Sequence, residues 1–392
     1  MEKTVGFGVI GCGSIARIAH FPSIKRTPGA VLVACCDLDA ETAESAARHW
    51  GAAAWYTDYR ELLAKERNLD VVIIATPNNV HRNQAVAAAK AGAHVIVEKP
   101  LAVTNKEAWD IVHACDRYGV KLMVGCDRRF WAQNQWAKQL IDEGVIGEVL
   151  MARASLHEQW HLYQDHVART AFRLDAAVSG GAALPDTGAH AIDLLTWLVG
   201  SSVKRVVGIA KRMVAPESYT LTDDTVWVLL EYENGCTGCV SCNRFSPVVS
   251  QATELYGTEG TIYTSSDATN PFQSVPMAVY TDKDYSLEDM PAILRKYRWP
   301  QLFWVEDVMK RPEKRWVPLM PPREPNNYTN MTRHFMECVL NDEQPLVSGA
   351  DGARTVEVMC GVWRSMETGG WVDLPLHDEV VPPYYTPLPA DE

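Results

Sequence analysis

Residues 5–37, VGFGVIGCGSIARIAHFPSIKRTPGAVLVACCD, decide the fold of the first part of the chain. An apolar strand runs directly into the turn GCGSIA at 11–16, and a helical stretch and a second apolar strand follow. Gly11 permits a tight turn out of the strand, and Gly13 lets the backbone approach a pyrophosphate held at a helix N-terminus. This order predicts a βαβ unit with a dinucleotide site.

The acidic residue that ends the second strand indicates which dinucleotide fits. Asp37 stands 24 residues after Gly13, close to the spacing at which a carboxylate accepts both ribose hydroxyls of NAD. Leu38 follows it, and the next few positions hold no Arg or Lys that would neutralise a 2′-phosphate. The predicted cofactor is therefore NAD, in preference to NADP.

Length, charge and cysteine content narrow the class of protein. The 392 residues suit two domains, each able to bury a full core. A formal net charge of -12 argues against nucleic acid or an anionic membrane as the main partner. No apolar run approaches the length of a membrane span. The ten cysteines show no pairing pattern, as expected of reduced thiols, so we expect a cytoplasmic protein.

The pattern of predicted elements changes near residue 147. Strand and helix signals alternate through 1–147, which predicts an α/β Rossmann domain. Short strands separated by turn signals dominate 148–375, which predicts an α+β domain with a large open, mostly antiparallel sheet. An aromatic and proline-rich insertion at about 264–327 interrupts this second domain, and the tail at 376–392 is rich in proline and predicted to be extended.

Three closely spaced cysteines raise the question of a metal site. Cys236, Cys239 and Cys242 have the spacing of zinc or iron–sulfur ligands. They lie in a strand-like segment, however, where this spacing puts Cys239 on the face opposite the other two. No fourth Cys or His lies nearby in the sequence. We therefore expect no metal site.

Two loops of the first domain carry residues that suit a cofactor crevice. One holds Thr76, Pro77 and Asn78 after the fourth strand, and the other holds Glu98-Lys99-Pro100 after the fifth. In a doubly wound sheet both loops lie at the carboxyl ends of the strands, over the crevice. A lysine there can hold and polarise a substrate hydroxyl. The alternative is a surface lysine on a loop, and the sequence leaves both interpretations open.

A second cluster lies in the second domain, after the double glycine at 180–181. Asp186 and His190 are four residues apart, so they share one face if a helix has begun by Asp186. The carboxylate would then orient the imidazole and stabilise its cation, a pairing suited to proton transfer near neutral pH. An N-capping Asp with a buried His, or two ligands of a metal, are alternatives that remain open.

Taken together, these motifs resemble those of the Gfo/Idh/MocA oxidoreductases, which include glucose–fructose oxidoreductase and inositol dehydrogenases. The resemblance rests on the N-terminal glycine turn, on Glu98-Lys99-Pro100, and on the double glycine followed by Asp186-x-x-x-His190-x-x-Asp193. It extends from Val5 to about Pro375. It implies a Rossmann domain, an open antiparallel sheet domain, NAD(P), and oxidation of a secondary alcohol on a sugar or cyclitol.

The resemblance also implies roles for single residues. Lys99 would bridge substrate and cofactor, with the Lys99-Pro100 bond in the cis form. His190 would take the hydroxyl proton as hydride leaves for the nicotinamide, and Asp186 would bind the adjacent hydroxyl or relay the proton. Arg128 or Arg129 matches the family's basic position near substrate and nicotinamide.

The full set of predicted contacts follows from these assignments and from position. Aromatic and basic side chains near the double glycine would stack on a sugar and bind its hydroxyls. We predict cofactor contacts from Gly11, Gly13, Ser14, Ile15, Asp37, Leu38, Thr76, Pro77, Asn78, His81, Glu98, Lys99 and Arg128. We predict substrate contacts from Lys99, Arg129, His157, Trp160, Arg173, Asp186 and His190.

Two other functions use the same parts. A redox-neutral enzyme would keep NAD bound and oxidise, then reduce, the sugar within one turnover, as in glycoside cleavage through oxidation at C3 or in sugar–sugar oxidoreduction. A binding protein would sense NAD without catalysis, although intact Lys99, Asp186 and His190 argue against it. The exposed sheet face and the aromatic insertion favour a homodimer or homotetramer.

Overall fold

The chain folds around two β-sheets, a parallel one followed by a larger mixed one. The computed structural model describes residues 3–159, 171–215, 223–266, 275–286, 288–298, 314, 316–322 and 326–390. In this part of the chain the first sheet has six strands and the second has nine. The two predicted sheet types, and with them the predicted fold class, are confirmed.

The first sheet is parallel throughout, in the order β3-β2-β1-β4-β5-β6. Its central strands are apolar on both faces because helices cover both sides. The order reverses between β1 and β4, which opens a crevice at their carboxyl ends. The strands are β1 Val5–Ile10, β2 Ala30–Cys36, β3 Ala54–Tyr56, β4 Val71–Ile74, β5 His94–Val97 and β6 Leu122–Val124.

Helices connect these strands, and their ends follow local capping rules. A capping box formed by Thr104 and Glu107 starts the fifth helix, and Gly119, at φ 66°, ends it. The helices are α1 Phe21–Arg26, α2 Ala40–Trp50, α3 Tyr59–Lys65, α4 His81–Lys90, α5 Asn105–Tyr118 and α6 Ala132–Asp142. A wide helical turn at Ala16–His20 precedes α1.

The second sheet has the order β14-β13-β12-β11-β7-β10-β9-β8-β15. Only the β7–β10 pair is parallel among its described strands. The strands are β7 Val149–His157, β8 Val203–Lys211, β9 Thr225–Tyr232, β10 Thr237–Asn243, β11 Ser250–Gly257, β12 Gly260–Ser265, β13 Met277–Thr281, β14 Val317–Leu319 and β15 Val372–Asp373.

One face of this sheet is covered and the other is open. Along β9 the side chains of Val226, Val228 and Leu230 are buried, whereas Trp227 and Leu229 are exposed. The described residues of this part include the helices α7 Ala176–Ser179, α8 Ala189–Val199, α9 Ala292–Arg298, α10 Asn327–Asn341 and α11 Gly349–Thr368. Among the helices of the described residues, none has both the length and the apolarity needed to cross a membrane.

Helix α11 joins the two sheets. It packs on β8 of the second sheet and on α5 and β6 of the first. At Gly352 a Cβ atom would lie 2.4 Å from Val124 Cγ2, so only glycine allows this close packing. The division into domains at residue 147 stays a prediction, since α11 belongs to the cores of both.

The three remaining segments singled out in the sequence have the following places. The cysteine cluster runs into β10, with Cys236 and Cys242 buried and Cys239 on the other, partly exposed face. In the described ranges, no three His, Cys, Asp or Glu side chains are grouped as metal ligands would be. Much of the insertion at 264–327 lies outside the described residues; the parts described include β13, α9 and β14.

The tail runs over α4 and α5 without forming a helix or strand between 376 and 390. Val380 N donates to Asn105 Oδ1 at 2.9 Å, and Tyr385 Oη donates to Glu107 Oε1 at 2.8 Å. These contacts make the tail part of the packing around the first sheet.

Candidate active site

A cavity of about 850 Å³ lies at the carboxyl ends of the first sheet, beneath the segment around α7. Most of the predicted cofactor contacts line it. They are Gly11, Gly13, Ser14, Ile15, Asp37, Leu38, Thr76, Pro77, Asn78, Glu98 and Lys99. Arg173 and Asp186 close the cavity from the second domain.

The glycine turn leaves space where a dinucleotide's phosphates would lie. Gly11 has a φ of 94°, and a Cβ there would come within 2.6 Å of the Ala75 carbonyl oxygen. A Cβ at Gly13, in contrast, would meet no protein atom within 4 Å, so the space before it is open. Cys12 N donates to Asp37 Oδ2 at 2.8 Å, which ties the turn to the end of β2. These residues fit the cradle that NAD requires.

The loop after β4 is held rigidly, and one prediction there is corrected. Asn78 Nδ2 donates to the Ser179 carbonyl at 2.9 Å, linking the two walls of the cavity. His81 is fully buried, and its ring nitrogens lie 3.0 Å from the carbonyl oxygens of Thr76 and Pro100. Because the ring is enclosed between these two carbonyls, and a neutral imidazole can donate to only one of them, His81 packs between the two loops and does not line the cavity.

Lys99 joins the two walls of the cavity through Asp186. The peptide bond from Lys99 to Pro100 is cis. Lys99 Nζ donates to Asp186 Oδ1 at 2.5 Å and to the Asp186 carbonyl at 3.0 Å. The preceding Glu98 is buried, and its Oε1 lies 2.8 Å from His20 Nε2. The lysine is therefore a cavity residue and not a surface residue.

Asp186 is surrounded by cations. Its Oδ2 lies 3.0 Å from Arg244 Nη2 and 3.7 Å from Arg173 Nε, in addition to the contact with Lys99. Burial alone would raise the pKa of Asp186, but Arg173, Lys99 and Arg244 together hold it well below its ordinary value. Asp186 is therefore a carboxylate throughout the neutral pH range.

His190 sits in the first turn of α8, next to Asp127. Its Nδ1 lies 3.6 Å from Asp127 Oδ1, while Asp186 is committed to the three cations. Orientation of the imidazole by Asp186 stays a prediction; the charge of Asp186 does act on His190, since it opposes the lowering of the His190 pKa. Burial, reinforced by Lys99 and Arg128, holds the pKa of His190 well below 6.5. The ring is neutral at neutral pH.

Asp127 is a site residue that the sequence reasoning missed. Its Oδ2 accepts from Trp131 Nε1 at 3.1 Å and from Asn327 Nδ2 at 2.5 Å. Burial raises the pKa of Asp127, with Arg128 and Trp131 opposing the shift. The signal that could have found it is position, since it follows β6 as Lys99 follows β5, at the same edge of the sheet.

The two adjacent arginines point to different places. Arg129 is buried and donates to Asp193 at 2.6 and 3.0 Å and to the Leu346 carbonyl at 3.1 Å. Its predicted contact with substrate is therefore corrected, because its guanidinium is used inside the protein. Arg128 stacks over Trp131, 4.6 Å from the ring centroid, beside Asp127 and His190. Its contact with the cofactor stays a prediction.

Only some of the residues predicted to contact substrate lie at the cavity. Arg173 lines the cavity, as expected. His157 does not, because β7 extends to it and strand alternation turns it to the open face, where its Nδ1 bonds to Asn243 Nδ2 at 2.8 Å. Trp160 lies outside the described residues. Arg244, from the end of β10, was not predicted, because only the sheet register brings it to Asp186.

Comparison with known proteins agrees with this geometry. Residues 5–126 match an oxidoreductase family with an NAD-binding Rossmann fold, and residues 134–263 match the Gfo/Idh/MocA C-terminal domain. D-apiose dehydrogenase of Paraburkholderia graminis is 28% identical over 93% of this chain and 88% of its own length. The scyllo-inositol 2-dehydrogenase (NAD(+)) of Bacillus subtilis is 26% identical over 95% and 97%.

Further matches extend the same pattern. Levoglucosan dehydrogenase of Pseudarthrobacter phenanthrenivorans is 30% identical over 66% of this chain and 71% of its own. A solved levoglucosan dehydrogenase with NADH and levoglucosan shares the fold, with a TM-score of 0.79 at 24% identity over 95% of this chain and 100% of that one. The predicted resemblance is confirmed: the chain belongs to the Gfo/Idh/MocA family of oxidoreductases, with an NAD-binding Rossmann domain.

Proposed function

We propose that this protein oxidises a secondary hydroxyl of a sugar, glycoside or cyclitol, with NAD as the acceptor. The observation that carries the proposal is the convergence of Lys99 and Asp186 on the wall of the cavity that the glycine turn opens, with His190 near enough to both for their charges to act on its pKa. Relatives named as dehydrogenases of D-apiose, scyllo-inositol and levoglucosan support a polyol substrate. Bound NAD would supply the nicotinamide carbon that accepts the hydride.

Each side chain has a distinct part in this reaction. Lys99, a cation held by Asp186, donates a hydrogen bond to the hydroxyl oxygen and stabilises negative charge as it develops there. His190 is neutral and can accept the hydroxyl proton while the carbinol C–H bond gives up its hydride and the C–O bond becomes a carbonyl. Asp186 keeps Lys99 aimed into the cavity and offers an oxygen to a neighbouring hydroxyl.

The residues that line the cavity beside Asp37, where the adenosine ribose of the cofactor would lie, favour binding of NAD over NADP. Asp37 and the exposed Leu38 line it, together with Asp58 and Tyr59, which the sequence reasoning missed. A carboxylate at Asp37 accepts ribose hydroxyls and repels a 2′-phosphate.

The test is a direct assay of the purified protein. We expect a panel of pentoses, anhydrosugars and inositols with NAD to produce reduced cofactor with at least one member. The result against the proposal is no oxidation of any member even at high concentration. Sugar turnover by protein that retains its own NAD, with none added, would instead favour the redox-neutral alternative.

The cofactor preference has its own prediction. Asp37→Ala removes the acceptor for the ribose hydroxyls, so KM for NAD should rise roughly 10-fold, as expected for loss of a charged hydrogen bond. KM for the sugar should stay unchanged. Initial rates at varied NAD and NADP measure this, with Asp39→Ala, its exposed neighbour, as the matched control. A preference of the wild-type protein for NADP would contradict the assignment.

We also propose that the protein is a homo-oligomer. Ile209, Trp227 and Leu229 form adjacent exposed positions on the open face of the second sheet. Large contiguous apolar areas are uncommon on the surfaces of monomers. Light scattering on the purified protein should therefore give a mass of two or four chains.

A further inference from the structure

Asp127 Oδ1 lies 3.6 Å from His190 Nδ1, and the reaction proposed for the site uses no atom of Asp127. We propose that Asp127 is a positioning residue that fixes the tautomer of His190, keeping the proton on Nδ1 and leaving Nε2 free to accept. The effect of this tautomer on catalysis rests on the proposed function, whereas the tautomer can be measured without any assumption about the reaction.

The contact between the two side chains decides where the imidazole proton lies. His190 Nδ1 is inaccessible to solvent, has no hydrogen-bond partner among the described residues, and lies 3.6 Å from Asp127 Oδ1. While Asp127 is ionised, an unprotonated Nδ1 would turn its lone pair toward a carboxylate oxygen, which is repulsive. A protonated Nδ1 is instead attracted to that oxygen, 3.6 Å away.

The other nitrogen is then the one available for chemistry. The His190 side chain is 12% exposed although Nδ1 is sealed, so its accessible surface lies on the rest of the ring. A neutral imidazole carries one proton, and a proton on Nδ1 makes Nε2 the acceptor. Contacts of this kind are often long before substrate binds.

The carboxylate of Asp127 is itself held in one orientation. Trp131 Nε1 and Asn327 Nδ2 both donate to Oδ2, which leaves Oδ1 to face His190. Arg128 lies beside the pair. Because both donors are side chains of separate elements, α10 and the turn after β6, the orientation depends on how the chain packs.

The charged groups around His190 keep it neutral, so its tautomer matters. Lys99 and Arg128 from the first domain and Arg173 from the second disfavour the imidazolium, and Asp186 opposes them. Glu98 and Lys99 face Asp127 from the end of β5. A neutral ring in this setting has only the two tautomers to choose between.

Asp127→Asn separates this proposal from a purely structural role. Trp131 and Asn327 would hold the amide oxygen in the place of Oδ2, so the NH₂ group would take the place of Oδ1 and donate to His190 Nδ1. The imidazole would then carry its proton on Nε2 and could not accept another from the substrate. The substitution conserves shape and replaces the acceptor that faces His190 Nδ1 with a donor.

The decisive measurement is nitrogen-15 NMR of histidine-labelled protein, and it needs no turnover. The chain has 11 histidines, and loss of a signal in His190→Asn identifies the resonance. We expect the Nδ1–H tautomer in the wild type and the Nε2–H tautomer in Asp127→Asn. An Nε2–H ring in the wild type, or the same tautomer in both proteins, overturns the proposal.

Kinetics supply the second readout once a substrate is known. Asp127→Asn should lower kcat for alcohol oxidation by about 10²-fold or more, within the range for loss of a general base, with both KM values changed less than about threefold. In the His190→Asn background the same change should cost nothing further, since Asp127 acts through that ring. If the fold-losses in kcat of the two single variants multiply in the double variant, the proposal is overturned.

The controls keep the two proposals apart. Asp142→Asn makes the same chemical change at the exposed end of α6 and should leave activity unchanged. If the tautomers are as expected but no sugar is oxidised by the wild type, the proposed function fails and the positioning of His190 stands.

Discussion

Asp186 and Asp193 lie seven residues apart on the same helical segment, yet they occupy opposite kinds of ion pair. Asp186 meets Lys99, Arg173 and Arg244, its side chain is 15% exposed, and its pKa is lowered. Asp193 is fully buried against Arg129, and burial raises its pKa despite that partner.

The difference in charge balance and exposure indicates a different role for each ion pair. One anion among three cations, at the wall of a cavity, leaves a positive environment for a substrate oxygen on which negative charge develops. Asp193 lies against Arg129, which is also 3.5 Å from Asp351, so its charge is balanced inside the protein and the pair joins α8 to the turn after β6. We call the first the cavity cluster and the second the sealed pair; changes in the cavity cluster should affect rate, and changes in the sealed pair should affect stability.

The largest effect is expected from Lys99→Met, which removes the cavity cluster's hydrogen-bond donor at similar length. The rate kcat/KM should fall by about 10²–10⁴-fold, the range for a group that assists proton transfer. The fold should persist, because Asp186 keeps Arg244 at 3.0 Å. Initial rates and thermal unfolding measure the two quantities. A variant that keeps most of the activity would break the comparison.

The next effect is expected from Arg129→Met in the sealed pair. An unpaired, buried Asp193 should lower the free energy of unfolding by about 3–5 kcal/mol. The double variant Arg129→Met/Asp193→Leu should recover much of that loss, because no charge is then left buried. Denaturant unfolding measures both. A large loss of kcat in a folded Arg129→Met protein would show that the pair is not merely structural.

The smallest effect is expected from pH. His190 has a folded pKa well below 6.5, so the unfolded chain takes up protons first as pH falls. Its contribution to stability is therefore fully present above pH 6.5 and is lost in more acidic solution. The acid limb of kcat/KM for oxidation should likewise lie well below pH 6.5. A pH–rate profile with a midpoint at or above 6.5 would contradict a neutral His190.

Sequence alone could predict the cavity residues carried by the first sheet, because parallel strands bring their carboxyl ends to one edge. Gly13, Asp37 and Lys99 follow directly from that rule. The second sheet offers no such rule. Arg244 reaches Asp186 only through the register of β10. His157 is the last residue of β7, and the alternation of side chains along that strand turns it away from the cavity.

The turn after β6 shows the same limit over three adjacent residues. Asp127 faces His190, Arg128 stacks on Trp131, and Arg129 enters the interior to meet Asp193. The sequence does not show which way each side chain points, because in a 3₁₀ turn each residue is rotated by about a third of a circle from the one before it. The family resemblance predicted a basic position here but not which arginine fills it.

The packing of α11 and the tail has a consequence for the order in which the protein can be assembled. Helix α5 is complete in the growing chain by Tyr118, but its neighbours Gly349, Val380 and Tyr385 are made more than 200 residues later. A nascent chain must therefore expose that apolar surface through most of its synthesis. The dinucleotide-binding half is translated first, but its packing is completed only when the last part of the chain has been made.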